Sequence, residues 1–430
     1  MSQRKLLWIL SALKKRSRPL LRISLLFIPT SIIKFILKWL GAYPRIVGNE
    51  IFEVKKVLLS PHWNTSSGGA NKHKELENAF ADFTGSKFAV AVGSGGIGIL
   101  MAFRALGLKP GSVIAHQVDT CNAVPQALLN AHYTPYFLDS SIENYMLDFE
   151  KLNNPSSKSF SGILSTHLWG YPEEIKKLSV ISKSRNIPFV EDCCLALGLT
   201  IDGTHVGNFG IAGIFSFGAT KPLQVGEGGM ITTNDEAFAN ELRSMRNWGE
   251  RVNSRNLDHL GLNGRFSEIS SAVAIEQLYG YRYRMRIIRE LMADFQRIIR
   301  RYELFDSTRS NLDSEMINPP IRLVVRLSDE YAKKPDIVKK CLGKFRDSGI
   351  GAFTINFEPL NKQSFFASGS WREWTHDVSD EIVWNNAKEF EGATFIHNQL
   401  GFSLPQSDFA SRSSYRNMVK RFQKAVEEIY

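Results

Sequence analysis

Residues 88–106 read FAVAVGSGGIGILMAFRAL: an apolar run, a glycine-rich turn and a second apolar run. Phe88 to Val92 has the length and bounding glycine of a short strand buried on both faces, and Ile97 to Leu106 is long enough for a helix. The alternation extends outward in both directions. Lys72 to Phe83 predicts a helix before it. Val113 to His116, Gly162 to Ser165, Pro188 to Val190 and Ile214 to Phe217 predict further short strands after it. Short apolar strands separated by helices imply a mostly parallel sheet with covered faces, an α/β domain. Arg282 to Tyr302 predicts one long helix with basic residues spread along it. Beyond about residue 310 the pattern is that of a smaller α+β unit, ending in a helix over Tyr415 to Tyr430. The expected organisation is an extension over 1–50, a large α/β domain over 70–305 and a small α+β domain over 306–430.

The composition is that of a globular chain: 430 residues, 43% hydrophobic and 22% charged. It excludes overall disorder and fibrous structure. Four cysteines (Cys121, Cys193, Cys194 and Cys341) show no paired ligand spacing, which points to a reducing cytoplasmic setting and to no metal site. The net charge of +10 is concentrated at one end. Residues 1–50 hold ten basic side chains against one acid, Glu50, so the rest is near neutral and nucleic acid is not an expected partner. In the same segment apolar runs containing Trp8, Phe27, Phe35 and Trp39 are broken by Pro19, Pro29 and basic residues, too short to span a bilayer. Lys14, Lys15 and Arg16 stand where a secretory cleavage site would need small residues. Residues 1–45 thus read as a basic amphipathic extension on an anionic membrane surface at its cytoplasmic face; an extension packed on the body and a transit peptide are the alternatives.

Two constellations bear on chemistry. Gly93 to Gly98 matches G-x-G-x-x-G after a strand, with Asp119 further on, as a dinucleotide site would have it. Any phosphate would be served by the same turn, because a helix N-terminus presents backbone N–H groups. A tight turn without a ligand is the remaining reading. The second constellation is Phe189-Val190-Glu191-Asp192, then Phe215-Ser216-Phe217-Gly218-Ala219-Thr220-Lys221, then Gly226-Glu227-Gly228-Gly229. The C-terminal strand ends of a parallel sheet gather side chains at one crevice, so an acid and a lysine there can face one ligand. A lysine of lowered basicity forms imines with carbonyls, and an aspartate suits a pyridinium nitrogen. With a phosphate turn upstream, the set fits pyridoxal 5'-phosphate.

On these residues the chain resembles the sugar aminotransferases of the DegT/StrS type, pyridoxal-phosphate enzymes of the aspartate-aminotransferase fold class (fold type I). The likeness runs from about Lys72 to the C-terminus. Its anchors are Ser94 to Gly96, His167-Leu168-Trp169-Gly170, Glu191-Asp192, Gly203 to Gly207, Phe215 to Phe217, Lys221, the glycines at 226–229 and Gly261-Leu262-Asn263-Gly264-Arg265. The resemblance implies that Lys221 carries the cofactor and moves a proton, and that Asp192 pairs with the pyridine nitrogen. It also implies that Ser94, Gly95, Gly96 and Ser216 hold the phosphate, and that Asn263 reaches it from the second subunit of a homodimer. It implies, further, a nucleotide-linked keto-sugar as acceptor, an amino acid such as glutamate as donor, and a place in surface glycan synthesis. Lys221 argues against the family's dehydratases, which carry histidine there.

The sequence departs from the family pattern at Gly96 (usually threonine), Cys121 (an aromatic), Leu195 (glutamine), Leu197 (histidine) and Pro222. Two rival readings follow. One is an NAD-dependent dehydrogenase built on the 93–98 turn, which leaves Asp192, Ser216 and Lys221 unexplained. The other is a catalytically degenerate scaffold of the same fold.

Overall fold

Strand β1 (Phe88–Val92) lies at the edge of a seven-stranded sheet with order β1-β9-β8-β5-β4-β2-β3. The other members are β2 (Val113–Gln117), β3 (Thr134–Leu138), β4 (Gly162–Thr166), β5 (Phe189–Asp192), β8 (Ala212–Ser216) and β9 (Gly229–Thr233); β6 (Thr200–Ile201) and β7 (Thr204–His205) form a separate small hairpin. Neighbours from β8 through β5, β4 and β2 to β3 run parallel, and β9 alone is antiparallel to both β1 and β8. The expected α/β sheet is therefore present. The chain is described by a computed structural model over residues 48–429, apart from 61–62, 64–70, 143–144, 150–151, 153–159, 173, 251–255, 258, 307–318, 351, 355–357, 377 and 399. The extension of residues 1–45, and the membrane reading attached to it, fall outside the described residues.

The helix expected from Ile97 begins two residues earlier, over Gly95–Ala105, because Ser94 caps it: the Ser94 hydroxyl accepts the Ile97 N–H at 3.1 Å. Gly98 then lets the helix sit close on the sheet, since a β-carbon there would lie 3.0 Å from Ile214. Ile99, Phe103, Val190, Ile214 and Ile231 form the core on this side of the sheet. On the other side the helices Lys72–Thr84, Glu268–Tyr279 and Tyr281–Ile299 share one continuous core with the second sheet. That sheet is antiparallel, in the order β10 (Phe305–Asp306), β11 (Arg322–Leu327), β13 (Leu400–Pro405) and β12 (Ala352–Thr354). Met285, Ile288, Met292 and Phe295 of the long helix bridge the two units.

Not all of the stretch 306–430 packs with the second sheet. Leu360, Phe366, Trp371, Ile382 and Phe390 pack against Phe137 of β3, the opposite edge of the large sheet. Asn386 accepts the Phe137 N–H at 2.9 Å and Asn385 donates to the Phe137 carbonyl at 2.9 Å, so side-chain amides cover an edge that would otherwise present open backbone groups. At the front of the chain a helix over Glu50–Leu59 packs on Glu268–Tyr279, with the Asn49 N–H donating to Glu276 at 2.7 Å.

Candidate active site

The glycine turn, β5, β8 and the loop beyond β8 meet at the C-terminal ends of the parallel strands. Gly95, the first helical residue, is buried, and a β-carbon on it would stand 2.8 Å from Cys194 Sγ and 3.0 Å from Ser216 Cβ. Gly229 lies directly beneath, since a β-carbon there would approach the Gly95 nitrogen to 2.8 Å. Any larger residue at 95 or 229 would push the turn off the strand ends. Gly96 is less confined: a β-carbon there would meet Ala123 and the Ser94 hydroxyl at 3.9 Å, an ordinary contact distance. The turn thus aims the N-terminus of an 11-residue helix at Ser216, the last residue of β8. This is the arrangement that binds an anion.

Asp192 ends β5 and is buried; its Oδ1 accepts the Cys194 N–H at 3.0 Å. In register it stands beside Thr166 of β4 and Ile214 of β8. Val190, two residues earlier on the same face, packs in the core with Ile99, so Asp192 is on the side of the sheet that carries the glycine turn. Lys221 is partly buried in a loop tied at both ends. Its N–H donates to the Gly218 carbonyl at 3.0 Å, Gly218 bridges to Gly226, and Leu223 is fully buried. Ser216 and Lys221 are the side chains nearest to a β-carbon at Gly218, with Ser216 Oγ 3.8 Å and Lys221 Cγ 3.9 Å from it. The structure therefore brings Ser94, Gly95, Gly96, Ser216 and Lys221 together, with Asp192 linked through Cys194.

Asn263 stands apart as an exposed residue. It pairs with Asn247, and the carbonyl of its neighbour Gly264 accepts the Gly93 N–H at 2.9 Å, so its loop backs onto the turn. Among the departures, Leu197 is absorbed into the core, Leu195 is half-buried and Cys121 is exposed. Cys194 is a site residue that sequence reasoning passed over. Burial, with the Asp192 carboxylate beside it, pushes its thiol well above the ordinary range, so it is a neutral packing group.

Glu191 is the second residue whose role was not read. It is fully buried and accepts the N–H groups of Gly207, Phe209 and Gly210, each at 2.8 Å, with His167 Nε2 3.3 Å away. Both oxygens are thus engaged in fixing the loop that leads into β8. His167, Glu191 and Cys193 place potential metal donors within 4.8 Å of one another. Glu191 commits both oxygens to backbone N–H groups here, and burial pushes the Cys193 thiol up.

The topology also bears on the dehydrogenase reading. A dinucleotide fold needs its glycine turn after a strand flanked by parallel neighbours, with the acid on the adjacent strand. Here β1 pairs only with antiparallel β9, and β2, which precedes Asp119, lies five places away in the sheet.

The chain matches known proteins over most of its length. The model of the DegT/DnrJ/EryC1/StrS aminotransferase family fits residues 44–385. GDP-perosamine synthase of Escherichia coli O157:H7 is 30% identical over 280 residues, 65% of this chain and 72% of that protein. The protein of the same name from Caulobacter vibrioides is 32% identical over 238 residues, 55% of this chain and 63% of that one. Among solved structures, the aminotransferase from Psychrobacter cryohalolentis superposes with a TM-score of 0.77 at 20% identity, covering 90% of this chain and 99% of its own. Fold, strand-end crevice and sequence agree: the chain belongs to the DegT/DnrJ/EryC1/StrS aminotransferase family.

Proposed function

We propose that this protein is a pyridoxal-phosphate-dependent aminotransferase that transfers an amino group from an amino acid, with glutamate as donor, to a nucleotide-linked keto-sugar in surface glycan biosynthesis. The observation that carries the reading is the cradle at Gly95. A β-carbon on Gly95, at the helix N-terminus, would collide with Cys194 and Ser216, the Lys221 side chain lies beside Ser216 at Gly218, and the buried Asp192 carboxylate accepts the Cys194 N–H. This donor set fits pyridoxal 5'-phosphate: N–H groups and a hydroxyl for the phosphate, an amine for the carbonyl and a carboxylate for the ring nitrogen.

Ser94, Gly95, Gly96 and Ser216 would hold the phosphate. Asp192 would keep the ring nitrogen protonated, and Lys221 would hold the cofactor and carry a proton to and from the α-carbon of the donor. When bound, the cofactor supplies an electron sink for charge developing at that carbon. Asn263, exposed on the loop behind the turn, would complete the phosphate site of a second subunit in a homodimer, since two-fold contacts exchange equivalent groups. The names of the two synthases support a nucleotide-linked acceptor. Residues 1–45 would hold the enzyme at the cytoplasmic face of an anionic membrane, where a lipid-linked glycan is assembled.

The test is amino transfer itself. Purified protein, pyridoxal phosphate and glutamate are incubated with a panel of GDP- and UDP-linked keto-sugars, and 2-oxoglutarate and aminosugar are quantified. The enzyme reading requires equimolar products with at least one member. Cofactor binding without transfer to any of them would favour the degenerate scaffold.

A further inference from the structure

The long helix Tyr281–Ile299 has no part in the proposed chemistry. It buries Tyr281, Met285, Ile288, Met292 and Phe295, which leaves its opposite side to solvent. The first turns of that side are basic and aromatic. Arg282 and Arg286 are exposed, Tyr283 is 63% exposed, and Tyr279 at the end of the preceding helix is 66% exposed. Each guanidinium rests on an aromatic face, Arg282 over Phe83 at 5.2 Å and Arg286 over Tyr283 at 5.5 Å. Among the described residues neither has a carboxylate partner. The body as a whole is near neutral, so this is a local concentration of charge.

Its position matters because of what joins the body there. The Asn49 N–H donates to Glu276 Oε2 at 2.7 Å, and Gln277 Nε2 donates to Glu50 Oε1 at 2.8 Å. The Gly280 N–H donates in turn to the Glu276 carbonyl at 3.2 Å. Asn49 and Glu50, which follow the chain of residues 1–47, therefore lie within about two helical turns of Tyr279, Arg282 and Tyr283. That chain brings ten basic side chains, together with Trp8, Phe27, Phe35 and Trp39. The face and the sequence of the extension carry the same sign of charge, so neither is a complementary partner for the other. Both are complementary to one extended anionic surface, and the apolar residues of the extension make that surface a bilayer rather than a nucleic acid.

We infer that Tyr279, Arg282, Tyr283 and Arg286 form a docking face of the folded body for an anionic lipid bilayer. The inference rests on the membrane reading of residues 1–45 and adds a second contact to it. Exposed tyrosines suit the headgroup region, with ring inward and hydroxyl in water. Basic residues at such a surface raise partitioning by about fivefold each. The second contact would also fix how the body is oriented on the membrane.

The experiment is co-sedimentation of the full chain with vesicles of phosphatidylcholine alone or with one quarter phosphatidylglycerol. Three proteins are compared: the unaltered chain, Arg282→Gln/Arg286→Gln, and a chain with Lys14, Lys15, Arg16 and Arg18 changed to glutamine. The expected result is binding of the unaltered chain to anionic vesicles only, and a drop of about fivefold per arginine in the body variant. Its amino-transfer rate without lipid and its unfolding temperature should not move; if that variant is unstable, Tyr279→Ser/Tyr283→Ser serves instead, with a similar loss. A body variant that partitions like the unaltered chain while the extension variant falls would overturn the docking face and leave the extension reading intact. If the unaltered chain ignores both vesicles, both readings fail. If the body variant changes the oligomeric state by sedimentation velocity, the face is a contact between copies and the inference is wrong.

Discussion

Glu191 and Asp192 are consecutive residues of β5 that serve opposite faces of the central sheet. Asp192 stands on the face of the glycine turn and accepts the Cys194 N–H, whereas Glu191 accepts three backbone N–H groups from the loop before β8. One residue faces the crevice at the glycine turn, and its neighbour holds the framework behind it.

This division predicts contrasting variants. Glu191→Ala leaves three N–H groups, one buried and two partly buried, without an acceptor and should cost about 3–5 kcal/mol of stability by urea unfolding. Asp192→Asn keeps the shape and the acceptor oxygen, so the unfolding midpoint should stay within about 1 kcal/mol. Turnover should fall by at least about a hundredfold, the scale of losing one group that stabilises developing charge.

Gly95 and Cys194 should behave as a coupled pair. Gly95→Ala sets a methyl group 2.8 Å from Cys194 Sγ, closer than packed carbons and sulfurs tolerate. Cofactor affinity measured by fluorescence titration should drop by roughly tenfold, a loss of about 1.4 kcal/mol. Cys194→Ala should be nearly neutral alone and should restore part of the loss in the double variant, a non-additivity that only contact produces.

Gly96 makes the opposite prediction. A β-carbon there would meet Ala123 and the Ser94 hydroxyl only at 3.9 Å, so Gly96→Thr should be accommodated and adds a hydroxyl beside the phosphate turn. A hydrogen bond to a charged group contributes about 1.5–3 kcal/mol, so cofactor affinity should rise by about tenfold or more in the same titration.

Acid should weaken the fold through two buried histidines. Burial lowers His116 and His205 to about 4 from the usual 6.5. Between those values the unfolded chain binds protons that the folded one refuses, so their stability contribution is complete above about pH 6.5 and is lost as pH falls toward 4. The loss is about 3 kcal/mol at most for each. Urea midpoints at pH 7 and 5 measure it, and His116→Leu, which removes the group beside Phe137, should flatten the slope by about half.

Much of the sheet was legible in the sequence, because strands covered on both faces are short unbroken apolar runs: β1 occupies Phe88–Val92, as the pattern requires. The Gly95 start of the helix needed only the capping rule applied to Ser94. Glu191 and Asp192 look equivalent in a linear reading. Strand parity from Val190 would have separated them, because a core residue fixes which neighbour shares its face. Cys194 carried no such signal, since its place against Gly95 arises from the meeting of two strand ends remote in sequence. The packing of residues 360–390 on β3 is likewise non-local, with Asn385 and Asn386 reading as ordinary helical polar residues until the edge they cover is known.

The central claim is that Lys221 carries the cofactor, and peptide mapping tests it most directly. The protein is mixed with pyridoxal phosphate, reduced with sodium borohydride, digested and analysed by mass spectrometry. The account predicts one stoichiometric pyridoxyl adduct, on Lys221, absent from a folded Lys221→Ala variant. An adduct on a different lysine, or none in a protein that still transfers amino groups, would contradict it.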